Sequence, residues 1–348
     1  MPKKKKDTSR HPTVEAIARR LGISAMTVSR ALNNRPNVNE KTRERVLAVA
    51  NKFGYIPNYI ARGLAIRKTE TIGVVVPEIT HSFFPEVIRG IEDAVYAAGY
   101  HLILAHSAED ADRERDAINT LQSKRVDGLL ISTAQTVTDH VIYEETMQRG
   151  VPIVFFDRIV RNIGASCVSI DDDSCCAMIT EHLAGHGYRR IAHLSGSTAV
   201  SIGKERLNGF RKALKSNGLE FRSELLVQSG FQENGGYAAM KTLLQLSPKN
   251  RPEAVVAVND PAAFGAMKAI LEHGLRIPED IAIVGMSDDV RAELVATPLT
   301  TIRQPAYEIG KTAAATLVSE IEGKSKPGER VIVDTELIVR RSCGCGTL

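Results

Sequence analysis

The residues best equipped for chemistry stand just after short apolar runs. Asp157 and Arg158 follow "VPIVFF", Asn259 and Asp260 follow "AVVAV", Ser287 follows "DIAIVGM", and Phe231 follows "LLVQSG". Thr80, Ser82, Phe83 and Phe84 come after "TIGVVVP", Ser107 ends "HLILAHS", Ser197 follows "RRIAHLSG", and Arg206 lies in the helical stretch beyond it. A carboxylate beside a guanidinium can bracket a polyol or a heterocycle through charge-assisted hydrogen bonds, while a phenyl ring covers an apolar face. That is the chemistry of holding a molecule. For turnover the expected patterns are missing: no G-x-G-x-x-G after a strand, no G-x-x-x-x-G-K-[ST] and no G-x-S-x-G. His186 and His193 in "GHGYRRIAH" stand in no ligand pattern and read as helix-surface and strand-end residues. The terminal "CGC" (Cys343 and Cys345) and the Cys175–Cys176 pair lack zinc-site spacing, and 342–348 reads as a mobile tail. The sequence therefore predicts no enzyme, cofactor or metal.

The elements that must position these residues alternate. The runs named above, with "DGLLIS" and "SCVSIDD", have strand length and apolar centres, as buried parallel strands require. Helical patterns lie near 85–98, 111–123, 138–149, 174–186, 203–217, 234–246 and 261–273, and Gly99, Gly150, Gly187, Gly218 and Gly274 follow them at C′ positions. So many strands exceed one doubly wound sheet with short connections, so the spacing predicts two βαβ subdomains side by side. Ligands of open α/β sheets bind beyond the carboxyl ends of strands. Two facing subdomains would put Thr80, Ser82, Phe83, Phe84, Ser107, Asp157 and Arg158 on one wall of a cleft. Ser197, Arg206, Phe231, Asn259, Asp260 and Ser287 would form the other.

Residues 1–68 differ in kind from this body. They hold 16 Lys/Arg against 4 Asp/Glu, whereas the rest of the chain holds 29 against 37, so the overall charge of +4 conceals a basic module on an acidic body. A polyanion partner at one end follows, and without an aromatic-rich amphipathic face nucleic acid is favoured over a membrane surface. Thr13 caps a helix with apolar Val14, Ile17, Ala18 and Leu21, and Gly22 ends it. Ser24 caps a second helix that buries Val28, Ala31 and Leu32. Asn39 caps a third, striped by Val46, Val49, Ala50 and Phe53 and closed by Gly54. Two short helices across a glycine turn, braced by a third, make a helix-turn-helix unit over 11–56.

The second of these helices fits the major groove with Met26, Ser29, Arg30 and Asn33 outward. Arg30 is the candidate for a bidentate guanine contact, and Ala25 and Met26 for a thymine methyl. Thr13, Ser24, Thr27, Ser29, Asn33, Asn37, Thr42 and Tyr55 suit contacts that fix register on phosphates. A brief helical pattern follows the X-Pro break at 55–57, inside a hinge over 57–69. Too short to be stable alone, it would order against a twin or a groove, with Leu64 as a wedge between base pairs. "KKKK" at 3–6, within a basic tail over 1–10, adds sequence-independent affinity for DNA.

The run "TVEAIARRLGISAMTVSRALNN…VNEKTRERVLAVANKFGYIPNYIARGLA" resembles the N-terminus of the LacI/GalR family of bacterial transcription regulators. It carries V-x-x-I-A, T-V-S-R-x-x-N, K-T-R-x-x-V, G-Y-x-P-N and A-x-x-L over some fifty residues. Five cysteines in no even framework fit a reducing cytoplasm better than a disulfide scaffold. The resemblance implies a homodimer on a near-palindromic operator, a hinge helix contacting DNA through Asn58, Ala61 and Leu64, and a periplasmic-binding-protein-like body. It also implies that the chain crosses between subdomains, so that 70–168 with 298–326 forms the first and 169–297 with 327–341 the second. "KERLNGFRKAL" and "VNDPAAFGAM" match the segments where Arg206 and Asp260 would contact an effector. "STAVSIGK" is apolar where purine-binding members carry another arginine, which points to a sugar or sugar phosphate. The expected effector set is Phe83, Phe84, Asp157, Arg158, Arg206, Phe231 and Asp260. Two alternatives share the body: a solute-binding receptor without regulatory role, and a sugar-acting enzyme.

Overall fold

The computed structural model describes residues 13–55, 68–137 and 139–345. The chain divides into two compact units, Met1–Thr69 and Glu70–Leu348. The basic tail and the hinge candidates Asn58, Ala61 and Leu64 lie outside the described residues.

In the first unit α1 (Val14–Leu21), α2 (Ala25–Leu32) and α3 (Glu40–Lys52) form where the caps predict. The Thr13 hydroxyl accepts from the Ala16 amide at 3.3 Å and the Ser24 hydroxyl from the Thr27 amide at 3.1 Å, satisfying donors that a helix start leaves without partners. Gly22, with φ of +67°, turns the chain between the first two helices. Ile17, Ala18, Val28, Ala31, Val46 and Ala50 make the small core. Phe53, expected in its stripe, is 37% exposed; it sits at the C-cap of α3, where the helix no longer faces its neighbours.

The second unit holds two six-stranded sheets. In chain order come β1 (Thr71–Val76), α4 (Phe83–Ala97), β2 (His101–His106), α5 (Ala111–Ser123), β3 (Gly128–Ile131), α6 (Val141–Gln148), β4 (Ile153–Phe156) and β5 (Ser166–Ser169). Then follow α7 (Asp172–Gly185), β6 (Ile191–Ser195), α8 (Ser201–Ser216), β7 (Leu226–Gln228), α9 (Glu233–Leu244), β8 (Ala254–Ala257), α10 (Asp260–Glu272), β9 (Ala282–Ser287) and β10 (Thr300–Arg303). The chain closes with α11 (Ala306–Ile321), β11 (Arg330–Ile332), β12 (Glu336–Ile338) and a 3-10 turn at Arg341–Cys343. The first sheet runs β11-β5-β4-β3-β1-β2 and the second β12-β10-β9-β8-β6-β7. Their pairings are parallel except β10 with β12. The expected C′ glycines 99, 150, 187, 218 and 274 all adopt positive φ.

Four expectations are corrected. Segment 298–326 does not stay together: β10 pairs with β9 in the second sheet, while α11 packs on the first. Conversely β11, expected in the second subdomain, extends the first sheet beside β5. The reason is that "RVIVDTELIVR" supplies two three-residue edge strands, one per sheet, and edge pairing leaves no mark in the apolar pattern. Second, β2 is not a buried strand. It lies at an edge, with Ile103 and Leu104 exposed. Third, the terminal segment is not a loose tail at its start, because the Ser342 hydroxyl donates to Ile283 O at 2.6 Å and accepts from the Thr300 amide at 2.8 Å. Ser342 and Cys343 are fully buried. His193 likewise proves to be core rather than strand end: its ring stacks on Phe210 and its Nδ1 lies 2.9 Å from Val256 O.

Close helix packing fixes the walls of the cleft. A Cβ on Gly90 of α4 would come within 2.1 Å of Tyr307 O in α11, and one on Gly209 of α8 within 2.0 Å of Asp173 O in α7. Only glycine permits these approaches. Through the second of them α8 delivers Arg206 against Asp172.

Candidate functional site

On the head, α2 presents Met26, 63% exposed, and an exposed Arg30 that forms no ion pair with any described residue. Ala25, Thr27 and Ser29 are half-buried beside them. Thr27 and Ser24 share a hydroxyl contact of 2.8 Å. Asn33 departs from the expected outward role: its Nδ2 donates to Ser29 O at 2.8 Å, so the amide is folded onto its own helix. Asn37 is exposed, Thr42 half-buried, and Tyr55 packs against the core. Arg43, which the sequence reading passed over, donates through Nη2 to Arg35 O at 2.9 Å and so ties down the loop before α3. A cation one turn inside a helix, facing a polar loop, was the available signal.

In the body, a cleft opens between the carboxyl ends of the two sheets' strands. Among its lining residues, the expected Phe83, Phe84, Asp157 and Arg158 come from the first subdomain, and Arg206, Phe231, Asn259 and Ser287 from the second. Phe83 and Phe84 meet edge to face at 5.2 Å. The Arg158 guanidinium lies 4.6 Å above the Phe231 ring, spanning the subdomains, while its Nη1 donates to Glu109 Oε2 at 2.7 Å and Thr133 O at 3.3 Å. Its Nε is buried with no hydrogen-bond partner among the described residues, as is Nε2 of Gln304 on the cleft wall.

Arg206 is 2% exposed and donates through Nε to Asp172 Oδ1 at 2.7 Å and through Nη1 to Val258 O at 2.6 Å. Its Nη2 has no hydrogen-bond partner among the described residues. Burial drives the Asp172 carboxyl up to about 7, and Arg206 opposes that rise. Burial also raises Asp157, against the pull of Arg158 and Arg206.

The other expected residues fall elsewhere. Asp260 is the principal correction. As the first residue of α10 it points beneath the cleft, where its Oδ1 accepts from the Thr301 hydroxyl at 2.7 Å and its Oδ2 from the Asp289 amide at 2.8 Å. It is fully buried and does not line the cleft, and burial pushes its carboxyl up to about 7. Helix geometry decides this: Asn259 is the cap at the cleft edge, and the next residue turns inward. Ser107 is buried against Val76 O, and Ser197 caps its own loop through the Ala199 amide. The exposed Thr80 gives its amide to Glu78, and Ser82 donates to Asp289 Oδ2 at 2.9 Å.

The sequence reading missed Glu78, His81, Gln232, Asp289 and Gln304, all on the lining. Each lies a few residues past a strand end, so widening the window there would have found them. Several form a bridge between the subdomains: Gln232 meets His81 Nε2 at 2.7 Å and donates to Glu78 Oε2 at 2.8 Å. Burial would raise Glu78, but hydrogen bonds from Thr80 and Gln232 hold it at about 2. Burial likewise opposes ionisation of Asp289, yet Arg291 and Ser82 keep its carboxyl below the usual value.

A helix-turn-helix head joined to a two-sheet body with a polar cleft between its subdomains defines a DNA-binding transcription regulator. The chain belongs to the LacI family. Residues 13–58 match "Bacterial regulatory proteins, lacI family", and residues 180–343 match "Periplasmic binding protein-like domain". Catabolite control protein A of Priestia megaterium is 33% identical over 302 residues, covering 86% of this chain and 90% of that protein. The structure of a transcriptional regulator CelR–cellobiose complex is 31% identical, with a TM-score of 0.74 and coverage of 95% and 100%. The lac repressor dimer bound to operator and the anti-inducer ONPF is 26% identical, with a TM-score of 0.84 and coverage of 96% and 99%. These relatives are regulators, which decides against the solute-receptor alternative. No described helix is long and apolar enough to cross a membrane.

Proposed function

We propose that this chain is a cytoplasmic repressor that binds a near-palindromic operator as a homodimer and answers to a carbohydrate held in the cleft. The observation that carries the ligand class is a set of donors in the cleft: Arg158 Nε and Gln304 Nε2 are buried and have no partner among the described residues. An unpaired buried polar group costs about 1–3 kcal/mol, a cost that a ligand rich in hydroxyls removes. Hydroxyls both donate and accept, so the same molecule also suits the Asp157 carboxyl, and Phe83, Phe84 and Phe231 suit the C–H face of a sugar ring. The sugar in the CelR complex supports this choice.

Arg30, with Ala25 and Met26, reads bases. Thr13, Ser24, Thr27, Ser29, Asn37, Thr42 and Tyr55 set register on the backbone, and Leu64 wedges into the minor groove with Asn58 and Ala61 beside it. Ligand acts by changing the angle between subdomains, whose present contacts include Gln232 with Glu78 and His81 and Ser82 with Asp289. The coupling is a free energy shared reciprocally by ligand and operator.

A thermal-shift panel of mono- and disaccharides, sugar phosphates and nucleobases on the full chain tests this. A ligand at a hundred times its Kd adds about 2.7 kcal/mol to the folded state, and a sugar that does so should also change operator affinity measured by anisotropy. A shift with nucleobases alone would refute the carbohydrate assignment.

A further inference from the structure

Beyond the head and the cleft, the structure brings together four residues separated by more than half the body's sequence. His182 and His186 stand one turn apart at the C-terminal end of α7, on one face, with ring centroids 4.8 Å apart. Cys343 and Cys345 reach them from the terminal turn. Between these cysteines Gly344 adopts φ of +95°, a left-handed bend that a side chain would resist. Cys345 Sγ lies 2.9 Å from His186 Nε2 and 3.7 Å from His182 Nε2, and the ligating atoms of all four residues fall within 4.8 Å of one another.

The geometry points to a structural zinc site built from His182, His186, Cys343 and Cys345. Zinc bonds of about 2.3 Å to sulfur and 2.0–2.1 Å to nitrogen place tetrahedral ligands roughly 3.3–3.8 Å apart, so small side-chain adjustments would complete the shell. Two thiolates and two imidazoles fill a closed four-coordinate sphere, the donor set of a structural rather than a catalytic zinc. The carbonyl end of a helix adds a favourable field for a cation.

The scaffold is already rigid: Ser342 is held by Ile283 O and the Thr300 amide, Cys343 is fully buried, and the Tyr188 hydroxyl donates to Cys343 O at 3.3 Å. Spacing within either sequence segment is insufficient for a zinc motif, because C-x-C and H-x₃-H supply half a site each. Folding joins the halves. Metal uptake displaces the thiol protons to solvent, and it would clamp the last residues of the chain onto the helix whose first residue, Asp172, pairs with Arg206.

The test uses the untagged full chain, purified under reducing conditions, stripped of metal and titrated with cobalt as a spectroscopic probe for zinc. The expected result is one equivalent per chain with thiolate-to-cobalt charge transfer and tetrahedral d–d bands, displaced by zinc, and a melting temperature raised by zinc. Cys345→Ser and His186→Gln change partly exposed side chains. Each should lower affinity by more than the roughly 10- to 100-fold typical of losing an outer-sphere partner. Cys167→Ser, in the first sheet, should leave the spectrum unchanged. Absence of charge-transfer bands in the wild type, or wild-type cobalt affinity in Cys345→Ser, would overturn the assignment.

Discussion

The Arg206–Asp172 pair lets binding be separated from folding. Both side chains are about 97–98% removed from solvent, so Arg206→Met leaves Asp172 buried without the cation that opposes its rise. At pH 8 the folded chain must then either hold an uncompensated charge or take up a proton. Breaking such a pair costs about 3–5 kcal/mol. At about 2–4 °C per kcal/mol for a large domain, the melting temperature should fall by roughly 6–20 °C. Replacing both partners, Arg206→Met with Asp172→Leu, removes the stranded charge, and such exchanges are often neutral, so most of the stability should return.

Ligand affinity should not return with it. If Nη2 of Arg206 donates to the effector, the double variant still lacks a charge-assisted hydrogen bond of about 1.5–3 kcal/mol, a loss of roughly 10- to 150-fold in Kd. Calorimetric melting and effector titration on the four proteins of the cycle read both quantities. Recovery of wild-type effector affinity in the double variant would show that Arg206 serves only the fold. A loss below about 1 kcal/mol in Arg206→Met would refute the buried-pair argument itself.

Arg30→Ala should lower affinity for the selected operator by about 1–3 kcal/mol while changing random-DNA binding far less; equal losses in anisotropy would remove its base-reading role. Leu64→Ser should reduce operator bending and specific affinity with dimerisation intact, and a gel-shift bending assay showing no change would count against the wedge. Asp289→Asn should weaken the effector response while leaving operator affinity near wild type; an unaltered response would place recognition elsewhere in the cleft. For Asp260 the sign follows from its raised value. The unfolded carboxyl loses its proton near 3.8 and the folded one near 7, so this group makes stability fall as pH rises between those values. Asp260→Asn should flatten that decline in urea melts from pH 4 to 7, and an unchanged slope would contradict the burial assigned to it.

Much of this protein was decided locally. The caps Thr13, Ser24 and Asn39, the turn at Gly22 and the apolar stripes specify the head, because helix starts, stops and faces depend on residues within a turn or two. Strand ends pointed to the cleft-lining Asp157, Arg158 and Phe231 for the same reason: the carboxyl ends of parallel strands open onto the cleft, whereas Arg206 comes from the second turn of α8. What lay beyond the sequence required knowing which distant surfaces meet. The direction of one helix turn sent Asp260 under the floor and left Asn259 at the edge. Edge pairing sent β11 and β12 to different sheets although they are neighbours in the chain. Packing of the terminal turn against α7 set Cys343 and Cys345 beside His182 and His186, which no spacing rule connects. Hydrogen bonding and burial between segments distant in the chain, from 29 residues for Asp260 and Asp289 to 163 for His182 and Cys345, made those choices, and such contacts leave no periodicity to read.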